Sequence, residues 1–98
     1  MHSPDLLDVE VAQVVRRCAA NGAIESERGR TAIVDLADFP VRRYPHGLLM
    51  PRAWQLRNNL TAYDAVYVVL AEALAAPLLT RDRRLADTAS RRVRVERM

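Results

Sequence analysis

Helical stretches alternating with short strand-like runs predict an α/β chain with a parallel, three-layer sheet. Three observations carry this. Leu7, Val11, Val14, Val15 and Cys18 recur at helical spacing. Strand-like runs at 41–44, 77–80 and 92–96 are separated by helical segments. A nearly unbroken apolar segment between Leu60 and Thr80 has the character of a buried layer.

The first helix is expected over about 4–18. Ser3 is a good N-cap, Pro4 suits the first helical position, and Asp5 and Asp8 favour the positive end of the helix dipole. Asn21-Gly22 supplies the stop. A second helix over about 26–37 carries Ile33, Val34, Leu36 and Ala37 toward a core, and Phe39-Pro40 ends it. The strand 41–44 turns at Pro45-His46-Gly47. A third helix over about 51–59 spaces Met50, Ala53, Trp54 and Arg57 along one face. A fourth runs from Thr61 to about residue 75. A short buried strand at 77–80, a brief helix at 83–88 and an alternating edge strand at 92–96 follow. The chain is expected to open directly with a helix, without the buried apolar strand that usually starts a parallel sheet.

Ninety-eight residues make one small domain at most. Half are hydrophobic and 28% charged, which excludes a disordered tail. The longest apolar run, Ala65 to Ala71, is far short of the ~20 residues of a membrane span. No basic start with an apolar stretch and a cleavage site appears, so no leader is expected. A single cysteine, Cys18, cannot form an internal disulfide, and a cytoplasmic setting is the expectation. The net charge is +3, and every one of the fifteen basic residues is Arg. Seven lie between Arg81 and Arg97. Such an end suits an acidic partner such as nucleic acid, or simply a solvated face.

Chemistry, if present, rests on Glu10, Asp64 and Asp82. Asp64 falls in the first turn of the fourth helix, and Asp82 follows the strand 77–80. In a βαβ layer a helix start and a strand's carboxyl end share one edge of the sheet. That edge is where open α/β sheets bind ligands. The fourth helix is about 22 Å long at 1.5 Å per residue, so the returning strand can bring Asp82 back to Asp64. Each also has a plain reading as a helix cap: Thr61-x-x-Asp64 resembles a capping box, and Asp82 precedes Arg83-Arg84-Leu85. Glu10 lies at the margin of the first helix's apolar stripe, with Val14 rather than a basic residue at i+4. A partly exposed stripe-edge Glu accounts for it equally well. Three carboxylates without His or Cys suit a hard cation, Mg²⁺ or Mn²⁺. Such an ion supports phosphodiester hydrolysis by an activated water. Arg81, Arg83 and Arg84 flank Asp82 and offer phosphate contacts.

The stretch from Asn59 through Thr61, Tyr63, Asp64 and Glu72 to Leu74, followed by Pro77-Leu78-Leu79-Thr80-Arg81-Asp82-Arg83-Arg84-Leu85, resembles the PIN-domain ribonucleases, in particular the bacterial toxin branch called VapC. Leu6-Leu7-Asp8-Val9-Glu10-Val11 resembles that family's first acidic helix. The resemblance implies a PIN-like fold over 1–98 and metal-dependent RNA cleavage. It makes Glu10, Asp64 and Asp82 ligands of Mg²⁺ and Thr80 a supporting hydroxyl. It also implies a cognate antitoxin and a homodimer. Family members open with an apolar strand ending in a further aspartate. Asp5 and Asp8 fall on a different element, so the domain is expected to be incomplete at its N-terminus.

Two other classes remain open: a catalytically impaired PIN-like remnant that binds an antitoxin or other partner, and a basic RNA-binding domain. His2 and His46 read as structural or surface residues. Cys18 reads as a buried inert thiol. Trp54 reads as core or a subunit contact, with base stacking the minority reading. Tyr63 and Tyr67, four apart on one helix, are placed to line the site or a dimer interface.

Overall fold

The alternation of helices with short parallel strands is what the computed structural model displays. It describes residues 1–80, 83–90 and 92–97, and of Leu79, Thr80, Arg83, Arg84 and Arg97 the backbone alone. The chain divides into two compact units, Met1–Tyr44 and Pro45–Met98.

The first unit opens with a strand, not a helix. β1 (His2–Pro4) pairs in parallel with β2 (Arg42–Tyr44), with Ser3 opposite Arg43. Between them lie α1 (Leu6–Ala20) and α2 (Ser26–Asp38). Ser3 and Pro4 therefore do not start the first helix. Pairing draws them into the ladder instead: the Arg42 amide donates to the Met1 carbonyl at 2.8 Å, and the Asp5 amide donates to Tyr44 at 2.9 Å. Asp5 takes the N-cap position without a side-chain capping bond. Local capping preference here yields to a partner some forty residues away. Asn21 ends α1, its Oδ1 accepting from the Ala23 amide at 3.1 Å, and Gly22 follows with φ 80°. That left-handed conformation costs glycine little.

The helices pack closely at Gly29, the buried residue of α2. A Cβ there would stand 3.2 Å from Val15 Cγ1. Arg43 then fastens the unit. Its Nε donates to both Asp8 oxygens at 2.7 and 3.0 Å, and its Nη2 donates to the Leu36 carbonyl at 2.6 Å. The expected inward faces are largely exposed: Val14, Ile33, Val34 and Ala37 all face solvent, and α1 buries no residue fully. Two three-residue strands are too short to cover both helices. Cys18 is half-buried rather than buried. His2 is structural, its Nδ1 lying 2.7 Å from the Tyr44 hydroxyl.

The second unit contains a 3-10 turn (His46–Leu48), α3 (Met50–Gln55), α4 (Ala62–Leu74), β3 (Leu78–Thr80), α5 (Arg83–Ala89) and β4 (Val95–Arg97). β3 and β4 pair in parallel, Leu78 opposite Val95. α4 is the centre of the core. Ala65, Val66, Val68, Val69, Leu70 and Ala71 are buried, and helices apolar on most sides belong inside. Leu49, Ala53, Leu56 and Leu60 cover it from α3 and its flanks, and Leu85, Ala86 and Ala89 come from α5.

That packing corrects the face assigned to the third helix. The inward stripe is Leu49, Ala53, Leu56 and Leu60, so Trp54 points outward and is 66% exposed. It is not a core residue. The helix also ends earlier, because tight turns from Leu56 to Leu60 replace its last residues. The last strand begins later than its alternation predicts. The Arg92 and Val93 amides both donate to the Ala89 carbonyl, closing α5, and pairing begins with the Leu78 amide on Arg94.

Arg52 on α3 holds Glu72 on α4 side-on, with Nε–Oε1 2.8 Å and Nη2–Oε2 3.1 Å. That hydrogen bonding keeps the Glu72 carboxyl below its ordinary range, against the opposing effect of its partial burial. The same bond raises Arg52. Ala75 closes α4 in the left-handed region at φ 50°. Among the described residues no helix is long and apolar enough to cross a membrane.

Candidate functional site

Thr61 positions the site. Its backbone is extended, and its side-chain oxygen accepts the Asp64 amide at 3.1 Å, which fixes the first turn of α4. The cap and the acid are thus one local device: the hydroxyl that starts the helix sets where the Asp64 carboxylate projects. The chain arrives at this turn through Arg57, Asn58 and Asn59, three polar residues forced out of helical geometry by the tight turns after α3.

Asp64 is half-buried and borders a cavity of about 380 Å³. Arg57, Asn58, Asn59, Leu60 and Thr61 line it from one side, and Leu85 and Thr88 of α5 line it from the other. α5, through Leu85 and Thr88, therefore lies beside the start of α4; the expected meeting of Asp82 with Asp64 lies outside the described residues. A carboxylate, a guanidinium, two amides and two hydroxyl-bearing residues meet in one space. Every polar donor to a cation there is oxygen, which fits a hard ion such as Mg²⁺ and not zinc. The guanidinium and amide N–H groups fit a phosphate.

Asp64 is the expected site residue whose surroundings are described most fully. Asp82 and Arg81 lie outside the described residues. Thr80 ends β3, and Arg83 and Arg84 open α5; their side chains lie outside the described part. Glu10 sits on the exposed side of α1 in the first unit. Among the described residues no three His, Cys, Asp or Glu side chains gather to hold a metal.

Sequence reasoning singles out neither Asn58 nor Thr88, and it places Arg57 only on the helical face shared by Met50, Ala53 and Trp54. For Asn58 the available signal is the polar triplet Arg57-Asn58-Asn59, one residue short of the Thr61 cap. Arg57 is further ordered by its neighbour: its guanidinium lies 4.4 Å from the Trp54 ring centroid, and Nη1 donates to the Trp54 carbonyl at 3.0 Å.

Comparison with known proteins adds to this geometry. The PIN domain family matches residues 1–91. The chain is 46% identical over 88 residues to VapC ribonuclease Mb0985 of Mycobacterium bovis, covering 90% of this chain and 69% of that protein. It is 48% identical over 86 residues to ribonuclease VapC1 of Mycobacterium tuberculosis, covering 87% and 65%. Against ribonuclease VapC12 of the same organism the match is 38% over 96 residues, covering 98% and 74%. With the family match spanning both units, the chain belongs to the PIN-domain family.

Proposed function

We propose that this chain is a metal-dependent endoribonuclease toxin of a type II toxin–antitoxin pair. The observation that carries the reading is Asp64, set by the Thr61 cap into a polar cavity, in a chain closely similar to proteins named as VapC ribonucleases. A bare carboxylate repels a phosphodiester. A cation between them removes that repulsion, and the carboxylate, amide and hydroxyl oxygens of the lining are the donor type that suits Mg²⁺ or Mn²⁺.

In this reading Glu10, Asp64 and Asp82 hold the ion, Thr80 supports them with its hydroxyl, and Arg81, Arg83 and Arg84 hold the RNA backbone. When bound, the ion would lower the pKa of an attacking water and stabilise charge on the leaving oxygen. The protein's own residues orient the strand. Arg57 meets phosphate with its fork of donors, and Thr61 keeps the Asp64 carboxylate aimed at the cavity. The partners are a cognate antitoxin and a second copy of the chain, in the cytoplasm.

The test is RNA cleavage by the purified chain with and without Mg²⁺. Asp64→Asn should abolish cleavage while leaving the far-ultraviolet circular dichroism spectrum unchanged. Cleavage that survives this substitution removes Asp64 from the mechanism.

A further inference from the structure

The nearest turn to the cavity carries a feature that cleavage chemistry does not use. Trp54 is the sole tryptophan of the chain and is 66% exposed. It is not loosely held. The Arg57 guanidinium lies over its ring at 4.4 Å and bonds back to the Trp54 carbonyl. Arg57 is also a wall of the Asp64 cavity, so the indole, the guanidinium and the cavity are continuous. Next in the chain come Asn58 and Asn59, whose side-chain amides make no hydrogen bond among the described residues. An exposed aromatic with an ordered cation beside it, followed by two side-chain amides, matches what unpaired nucleotides offer: a flat base, an edge to read and a phosphate.

We propose that Trp54, Arg57, Asn58 and Asn59 form the single-stranded RNA subsite of the Asp64 site. An unpaired base stacks on the Trp54 indole. Arg57 takes the phosphate that joins this base to the next nucleotide. Asn58 and Asn59 contact base edges at the cavity mouth. The subsite deepens the ribonuclease reading and rests on it for the choice of RNA. It makes a double helix a poor ligand, because paired bases have no free face for the indole.

The full chain carrying Asp64→Asn keeps the RNA intact for measurement. A labelled, unstructured RNA oligonucleotide of mixed sequence is titrated, reading its anisotropy and the tryptophan fluorescence together. The expected result is saturable quenching with the same midpoint as the anisotropy, and much weaker binding of the corresponding duplex. Adding Trp54→Ala or Arg57→Ala should weaken binding roughly 10-fold or more, while Trp54→Phe retains most of it.

An anisotropy change without quenching, the absence of RNA binding, or alanine variants within about twofold of the parent would overturn the proposal. The cleavage assay separates the two readings. If the unsubstituted chain does not cut RNA but quenching and the variant losses persist, the ribonuclease reading fails and the subsite stands. If it cuts RNA and Trp54→Ala leaves KM unchanged, the subsite fails and the ribonuclease reading stands.

Discussion

Arg43 joins three elements of the first unit, and Arg43→Met removes all of those links at once. Its Nε meets both Asp8 oxygens at 2.7 and 3.0 Å, and its Nη2 meets the Leu36 carbonyl in the last turn of α2 at 2.6 Å. The side chains of Arg43 and Asp8 are 20% and 40% exposed, so the pair is neither a free surface bridge nor a dry one. Surface ion pairs contribute about 0.2–1 kcal/mol, and hydrogen bonds to charged groups about 1.5–3 kcal/mol. Discounting the Asp8 link for its exposure, the two together come to about 2 kcal/mol. For a chain of this size each kcal/mol moves the unfolding midpoint by about 4–8 °C, so a fall of about 10 °C is expected. Thermal unfolding followed by circular dichroism measures it. Arg43→Lys should recover part of the loss, because one ammonium cannot span both Asp8 and Leu36. A cycle with Asp8→Ala should show coupling well above the roughly 0.3–0.5 kcal/mol expected of independent sites. A midpoint change under about 2 °C for Arg43→Met, or additive effects in the cycle, would refute the argument.

Two further outcomes concern the second unit. Glu72 has its folded pKa lowered by Arg52. Its contribution is therefore present above the ordinary carboxylate value and lost as pH falls through the lowered one. Glu72→Gln should flatten the acid limb of a stability–pH curve, and an unchanged limb would count against the pairing. Ala75 is left-handed at φ 50°, a conformation costing roughly 1–2 kcal/mol for a residue with a Cβ. Ala75→Gly should raise the urea midpoint by an amount worth about 0.5–1 kcal/mol after glycine's entropic cost, and a lower midpoint would contradict that expectation.

The second unit was the more legible in the sequence, for a physical reason. α4 combines a side-chain cap with an apolar run, so its start is written within its own residues, whereas its end at the left-handed Ala75 carries no such local signal. β1 is the opposite case. Ser3 and Pro4 have little strand preference, and they form a strand because Arg42 and Tyr44 supply the ladder. Glu72 is a rare charge in an apolar segment, but its partner Arg52 lies twenty residues away on another helix. At the site, Asp64 stood out because a cap and an acid share a fixed spacing. Arg57 and Asn58 did not, because polar residues in a turn look alike until a cavity forms beside them. The core reading of Trp54 fails because two helical stripes share Ala53, and packing against α4 selects the one that also contains Leu49 and Leu56.

The unequal burial of the helices also bears on how firmly each acid is held. α4 buries six apolar side chains, whereas α1 buries none fully. Local opening costs least where few apolar contacts must be broken. Opening α4 disrupts the core of its unit, so Asp64 is anchored on stiff ground, and Thr61 at the helix start keeps the acid in register. Glu10 rides on a helix that opens at much lower cost. The two carboxylates thus ride on helices of different compliance, Asp64 on one that resists opening and Glu10 on one that yields more readily.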